Sequence, residues 1–397
     1  MIDGVVDPSW EAVRTAFRDN IEQGLDDGAS LAVSVDGTPV VDLWGGVDPL
    51  SGRAFERDSV TVGFSVSKGV TAIALLQLVD RGLVDLDAPV ARYWPEFAAA
   101  GKQHVTVREL AAHRAALPAL GLDPIDQVLD WDTAVSALAS QPQQYDGSRF
   151  FTYHALSFGF LVGEVVRRVS GLGFTEYVQR HIAGPLGLDL WIGQPASVEP
   201  RFRPSITRDI DADGIPVVPV EGADVCIAAA RSTVELLPVF RAVDGVQGTE
   251  PFNQLPFRQA ALPAGNAVTN GRALARLYAA CLGEVNGVRL VSPELLAEAA
   301  RDQADGIRKP DCASDDPWRD GRQQVWGLGF EISNGDNPML GQGSVGHTGM
   351  GGRQGFAHLP SGISLGYVSQ RMAYPQPGTP DPRMARILDA VQEAAGL

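Results

Sequence analysis

The chain has 397 residues, 45% of them hydrophobic and 20% charged, with a formal net charge of −16. Those proportions are those of a soluble globular protein, and the length is long for one core, which predicts two lobes. The acidic excess disfavours nucleic acid and anionic membrane surfaces as partners, and no apolar run reaches the length of a membrane span.

Met1 to Asp7 carries no basic stretch and no continuous apolar segment follows it, so a cytoplasmic location is expected. Trp10, Val13, Phe17, Ile21 and Leu25 recur at three- and four-residue steps, the stripe of an amphipathic opening helix. Leu31 to Val35 and Val40 to Trp44, joined by Asp36-Gly37, predict a hairpin with a tight turn, ended by Gly45-Gly46. Next comes Ser65-Val66-Ser67-Lys68, preceded by Val62-Gly63-Phe64 and followed by Gly69 to Leu76, with no charge before Asp80.

Positions i and i+3 share a helix face, so Ser65 Oγ and the Lys68 amine fall within reach of each other. A serine hydroxyl needs a neighbouring base to become a nucleophile. A lysine can serve only when burial or nearby positive charge lowers its pKa, and the apolar flanks supply the burial. The chain has three lysines, Lys68, Lys102 and Lys309, among 32 basic residues, so a lysine in this apolar stretch is an unusual choice. Ser67 is the weaker candidate, because neighbouring side chains on a helix diverge.

Downstream, Asp85 to Val90 breaks into a loop carrying Tyr93-Trp94-Pro95, and Thr106-Val107-Arg108-Glu109 is a capping box. Helices are expected over Ser157–Val169, Thr269–Leu282 and Ser292–Arg301, the last opened by a serine cap and Pro293. Stretches 201–266 and 303–323 read as long surface loops. Trp326–Ile332, Gly352–Leu359 and Ile363–Gln370 read as strands, and a terminal helix runs from Asp381-Pro382 to Ala395. Strands at both ends with helices between predict an α+β fold: one antiparallel sheet built from both termini, flanked by the end helices, with a mainly helical lobe inserted. The expected division is 1–95 with 315–397 for the sheet domain and 96–314 for the helical one, with the active site at their interface.

Two further motifs follow the Ser65 helix in order: Tyr153-His154-Ala155 at the start of an apolar helix, and His347-Thr348-Gly349 before a glycine-rich strand. This order resembles the serine β-lactamase and penicillin-binding-protein superfamily, and more closely its class C-like branch, the family VIII carboxylesterases and related serine hydrolases. Gly82 to Val90, Leu110-Ala111-Ala112-His113, Asn270 to Tyr278 and Gly346 to Gly352 are similar to that branch as well, and the likeness extends from about residue 10 to 370.

The resemblance implies a β-lactamase/transpeptidase-like fold, no cofactor, and an acyl-enzyme on Ser65. It implies that Lys68 takes the Ser65 proton and that Tyr153 shares the base role and protonates the leaving group. The unperturbed phenol pKa of about 10 makes Tyr153 alone a poor base, and beside a lysine the two titrate as a pair; the residues leave open which is the base. Tyr145 is the rival position, in a loop beside Asp146-Gly147. The oxyanion hole implied is the backbone amides of Ser65 and Met350, with Gly349, Gly351 and Gly352 allowing close backbone approach to substrate. His347, Thr348, Gly349 and His154 would line the substrate pocket.

Two departures bear on substrate class. The family's usual lysine is here His347, whose ordinary pKa of about 6.5 leaves it mostly neutral at pH 7 and a weaker anchor for a carboxylate. The family's Tyr-x-Asn is here Tyr153-His154-Ala155, without the amide that meets a β-lactam side chain. Both point toward neutral esters: a carboxylesterase acting on small to medium acyl esters, a small-molecule partner. The alternatives are a β-lactamase or D-amino-acid peptidase, an acyltransferase, and a non-catalytic binding scaffold. The six histidines show no metal-binding spacing, so no metal is expected. His113 reads as a local backbone donor, and His181 and His358 carry no partner signature. There is no G-x-S-x-G and no phosphate-binding glycine loop. Cys226, Cys281 and Cys312, widely spaced, read as structural thiols in a reducing compartment. The sequence assigns no oligomeric state.

Overall fold

Two-residue alternation builds the sheet. In β2 (Gly28–Val35) Leu31 and Val33 face one apolar cluster, while Ser30, one position before Leu31, turns to the other side and accepts the Gly271 N–H at 2.9 Å. The structure, a computed structural model, describes residues 1–122, 125–207, 231–232, 235, 238–240, 245–304, 306–307, 325–335, 337–373 and 380–397. Cys226, Cys312, Lys309, the 314/315 lobe boundary, most of 303–323 and part of 201–266 lie outside them.

Among the described residues the main sheet has eight strands, antiparallel throughout. β1 (Ile2–Val6), β3 (Thr38–Gly46) and β2 come from the start of the chain. β11 (Ile363–Ser369), β10 (Arg353–His358), β9 (Ser344–Gly349), β8 (Glu331–Ile332) and β7 (Val325–Trp326) come from its end, in the order β1-β3-β2-β11-β10-β9-β8-β7. The two ends meet where β2 pairs with β11, Leu31 opposite Tyr367 and Val33 opposite Leu365. The expected antiparallel sheet from both termini is therefore present. The β2–β3 hairpin turns at Asp36 and Gly37, with φ of 48° and 78°; two successive positive φ values match the right-handed twist of the flanking strands.

Helices Glu11–Glu22 and Pro382–Ala395 cover one face of the sheet. Val13, Phe17, Ile387 and Val391 bury against Leu31, Val33, Leu43, Phe356 and Leu365, each such side chain contributing roughly 1.5–3 kcal/mol by leaving water. Helix Gly271–Leu282 lies on the opposite face, against β11, β2 and β10. Beyond it runs helix Val66–Asp80, packed on Ser157–Ser170 and on β9. From Val66 to Leu78 every residue of that helix is buried. A helix apolar all round has no solvent face to offer, so Lys68 is carried inside with it. Among the described residues, no helix is long and apolar enough to cross a membrane.

The structure corrects the expected elements in four places. β1 is an edge strand whose short alternation, with Gly4 in its middle, gave no clear signal. Trp326–Ile332 is two short strands, because Gly329 turns with φ of 80° where Ala72 of the buried helix leaves no room for a side chain. Thr269 belongs to a strand, and Asn270 caps the following helix by accepting the Ala273 N–H. A second, three-stranded sheet, unanticipated, joins β4 (Thr61–Val62), β6 (Val268–Thr269) and β5 (Leu190–Trp191) in the order β4-β6-β5. Its β4 leads directly into Ser65.

Candidate active site

Between β4 and the buried helix the chain must turn sharply, and Phe64 takes the strain with φ of 51°. Its ring packs against Phe252 and Phe240 at centroid distances of 5.1 and 5.7 Å, and the Ser67 hydroxyl donates to its carbonyl at 2.5 Å. Ser67 Oγ also accepts the Ala267 N–H at 2.8 Å, and Gly63 N–H donates to Ala267 O at 2.7 Å. Ser67 is thus fully buried and committed to the turn, while Ser65 stays half-buried at the helix start.

Three side chains converge. Lys68 Nζ lies 3.0 Å from Ser65 Oγ and donates to Ala264 O at 2.9 Å. The Tyr153 hydroxyl donates to the same Ser65 Oγ at 2.9 Å, and its ring lies 4.7 Å from Lys68 Nζ. Burial pulls the Lys68 amine well below its ordinary value, and burial pushes the Tyr153 phenol above its own, opposed by its hydrogen bond to Ser65. The amine is driven toward its neutral form and the phenol keeps its proton. Tyr145, the rival tyrosine, is buried with its oxygen accepting the Thr152 N–H at 3.2 Å.

Aromatic rings wall the Tyr153 side. Trp326 stacks on Tyr153 at 5.2 Å, and His347 lies 5.5 Å from Trp326 and 6.2 Å from Tyr153. His347 is 2% exposed. Its Nδ1–H donates to Thr348 O at 2.6 Å, leaving Nε2 as a lone-pair acceptor with no hydrogen-bond partner among the described residues. Burial, then the charge of Lys68, pushes its pKa down to about 3, so the ring is neutral. Thr348 gives both its hydroxyl, at 2.7 Å, and its N–H, at 3.1 Å, to the buried carboxylate of Glu331. Gly349 backs onto the nucleophile turn, where a Cβ would lie 2.1 Å from Gly63 O. Met350 follows, half-buried.

Other expected residues sit differently. His154 is fully buried: Nδ1–H donates to Thr152 O at 2.7 Å and Nε2 accepts the Leu117 N–H at 3.0 Å. Both ring nitrogens are spent inside the protein, so His154 braces the Tyr153 segment and does not line a pocket. His113 is no local donor: with φ of 60°, its Nδ1 accepts the N–H of His154, and its ring packs on Trp326, Phe158 and Tyr153. The space at Gly351 and Gly352 is filled by the guanidinium groups of Arg353 and Arg383, not kept for substrate. His181 stacks on Tyr177, and His358 meets Ser361 Oγ at 2.7 Å.

Sequence reasoning missed Trp326, Glu331 and Phe64. Only Glu331 carried a signal, as the one acid in the apolar run Trp326–Ile332. Among the described residues, no group of three or more His, Cys, Asp or Glu side chains is placed to hold a metal ion.

A family profile described as Beta-lactamase matches residues 17–390. The chain is 32% identical over 409 residues to the Esterase/beta-lactamase LipL of Mycobacterium tuberculosis, covering 99% of this chain and 88% of that protein. It is similar to the crystal structure of a family VIII carboxylesterase, with a TM-score of 0.81, 30% identity and coverage of 99% of this chain and 100% of the other. A penicillin-binding protein homologue from Caulobacter crescentus gives the same TM-score of 0.81 at 29% identity, over 99% and 100% of the two chains.

Proposed function

This chain belongs to the β-lactamase family, and from that premise we propose that it hydrolyses neutral esters of small to medium acyl groups through an acyl-enzyme on Ser65. It is a serine ester hydrolase, in keeping with the esterase relatives. The observation that carries the assignment of roles is the convergence of Lys68 Nζ and Tyr153 Oη on Ser65 Oγ at 3.0 and 2.9 Å.

Lys68, neutral through burial, takes the Ser65 proton as Oγ attacks the ester carbonyl carbon. The carbonyl oxygen becomes an oxyanion, stabilised by the N–H groups of Ser65 and Met350. As the carbonyl reforms, the bond to the alkoxy oxygen breaks and Tyr153 gives that oxygen its proton, regaining one from the Lys68 ammonium. A water then attacks the acyl-enzyme, its proton passes to the same pair, and Ser65 Oγ leaves as the hydroxyl. Ser65, His347 and Met350 come from the segments 1–95 and 315–397, while Tyr153 and Ala264 come from 96–314, which supports a site at the interface of those two domains.

The β9 wall supports the preference for neutral substrates. His347 carries no charge and has spent its N–H, and the Thr348 hydroxyl is held by Glu331. β9 itself, Ser344–Gly349, supplies no lysine or arginine to meet a substrate carboxylate.

The test is labelling with a fluorophosphonate, beside hydrolysis of short p-nitrophenyl esters and of nitrocefin. The wild type is expected to be labelled, Ser65→Ala to be neither labelled nor active, and the esters to outpace nitrocefin. An unlabelled wild type would sink the nucleophile assignment, and equal rates on nitrocefin would sink the ester preference.

A further inference from the structure

The turn after β9 carries the Met350 amide, and glycines beside it make it easy to misdirect. Gly351 and Gly352 have φ of 77° and 95°, and peptide units between glycines rotate at small cost. Yet three successive carbonyls of the turn are held. Gly349 O accepts the Gly352 N–H at 3.1 Å, and Met350 O accepts from Arg353 Nη1 at 3.1 Å. Gly351 O accepts from Arg383 Nη2 at 2.8 Å, from Arg353 Nη1 at 3.3 Å and from the Ala373 N–H at 3.3 Å. In a planar trans peptide the N–H points opposite the C=O. With Gly349 O turned into the turn, the Met350 N–H points out of it.

Arg383 makes the shortest of these contacts and comes from the far end of the chain, in helix Pro382–Ala395. It is 1% exposed and is itself fixed on every side. Nη1 meets Asp26 Oδ1 at 2.9 Å and Arg371 O at 2.9 Å, while Nη2 meets Asp381 Oδ2 at 2.6 Å. Asp26 is also buried and accepts the hydroxyls of Tyr367 and Ser369. A Cβ at Gly352 would lie 2.2 Å from Arg383 Nη2, so the turn and the guanidinium are built against each other. A buried ion pair is a poor source of stability, since apolar packing does as well. What a guanidinium adds is a rigid fork of donors in fixed directions.

We propose that Arg383, anchored by Asp26 and Asp381, is a positioning residue for ester hydrolysis: it pins the Gly351 carbonyl, which directs the trans Gly352 N–H onto Gly349 O, so that the Met350 amide of the Gly349–Met350 peptide stays turned to the oxyanion. This rests on the Ser65 acyl-enzyme reading above. Arg383 touches no substrate; it acts through the turn.

The test compares an oxygen ester with its thiono counterpart, in which C=S replaces C=O. Sulfur accepts hydrogen bonds poorly, so the ratio of the two kcat/KM values reports the oxyanion donors and is independent of the folded fraction. In Arg383→Lys, kcat on the oxygen ester is expected to fall about 10–100-fold with KM within about 3-fold, and the oxygen-to-thiono ratio to collapse by a similar factor. Asp26→Asn, which keeps a hydrogen-bonding oxygen and so the fold, is expected to show a smaller collapse of the same kind. A wild-type ratio in both variants, with activity lost only in step with folded protein, overturns the proposal. Failure of the underlying reading looks different: Ser65→Ala would retain turnover, and that overturns both.

Discussion

Lys68 can act as a base only because of where the helix puts it. Its amine is held by Ala264 O and Ser65 Oγ, with no ion pair to a carboxylate among the described residues, and burial lowers its pKa. In the proposed mechanism its protonation sets the acid limb of the rate profile, and kcat/KM is expected to rise with pH as Lys68 loses its proton. His347, with a pKa of about 3, is neutral across that range, so His347→Gln is expected to leave the limb in place. Lys68→Ala is expected to lose activity to the same degree as Ser65→Ala, because the pair acts as one unit. A limb that moves with His347, or near-normal turnover without Lys68, would refute this. Ser65 and Lys68 were legible because their meeting needs only helix periodicity, and Tyr153 because motif order placed it. The roles of His113 and Arg383 were not, since their partners lie 41 and 32 residues away at His154 and Gly351, contacts that no local pattern encodes.

The two serines of the motif do different jobs at the level of the element. Ser65 Oγ is met by Lys68 Nζ and the Tyr153 hydroxyl, while Ser67 Oγ ties the Phe64 carbonyl to the Ala267 amide and so holds a left-handed Phe64. A non-glycine residue there costs of order 1–3 kcal/mol and persists only when its surroundings hold it. Ser67→Ala leaves the buried Ala267 N–H without its hydroxyl partner, a loss worth about 1–3 kcal/mol, while the Phe64 carbonyl keeps the Ser67 backbone N–H at 3.0 Å. It is expected to lower stability by about 1–3 kcal/mol and to reduce kcat, whereas Ser65→Ala is expected to abolish kcat with stability nearly unchanged. Denaturant titration of both variants checks this, and equal stability of the two would refute it. The helices and hairpin were readable because caps, Asp-Gly turns and apolar periods are local signals. β4, β5 and β6 are two residues long each, too short for alternation to register, and only their pairing makes them strands.

At the scale of the whole molecule, the three histidines packed around Tyr153 and each other bear most on how the fold meets acid, His358 being shifted the same way but less buried. His113, His154 and His347 are all held neutral, by burial first, with pKa values well below normal, about 4 and about 3. In the unfolded chain each returns to about 6.5. Below that pH the unfolded state binds more protons than the native one, so stability falls as pH falls. The contribution is fully present above about pH 7, and for His154 it amounts to roughly 3 kcal/mol that is gone near pH 4. Two other effects do not share that window. Ordinary carboxylates with pKa values of about 4 barely titrate above pH 5.5, and relief of the self-repulsion of a −16 chain acts in the opposite direction. A falling melting temperature between pH 7 and 5.5 is thus assignable to the histidines. His154→Gln, whose amide can still donate to Thr152 O and accept from Leu117, is expected to flatten that slope while keeping the neutral-pH fold. Should the melting temperature hold level from pH 7 to 5.5 in the wild type, or the slope survive unchanged in the variant, the buried neutral cluster is not what limits the protein in acid.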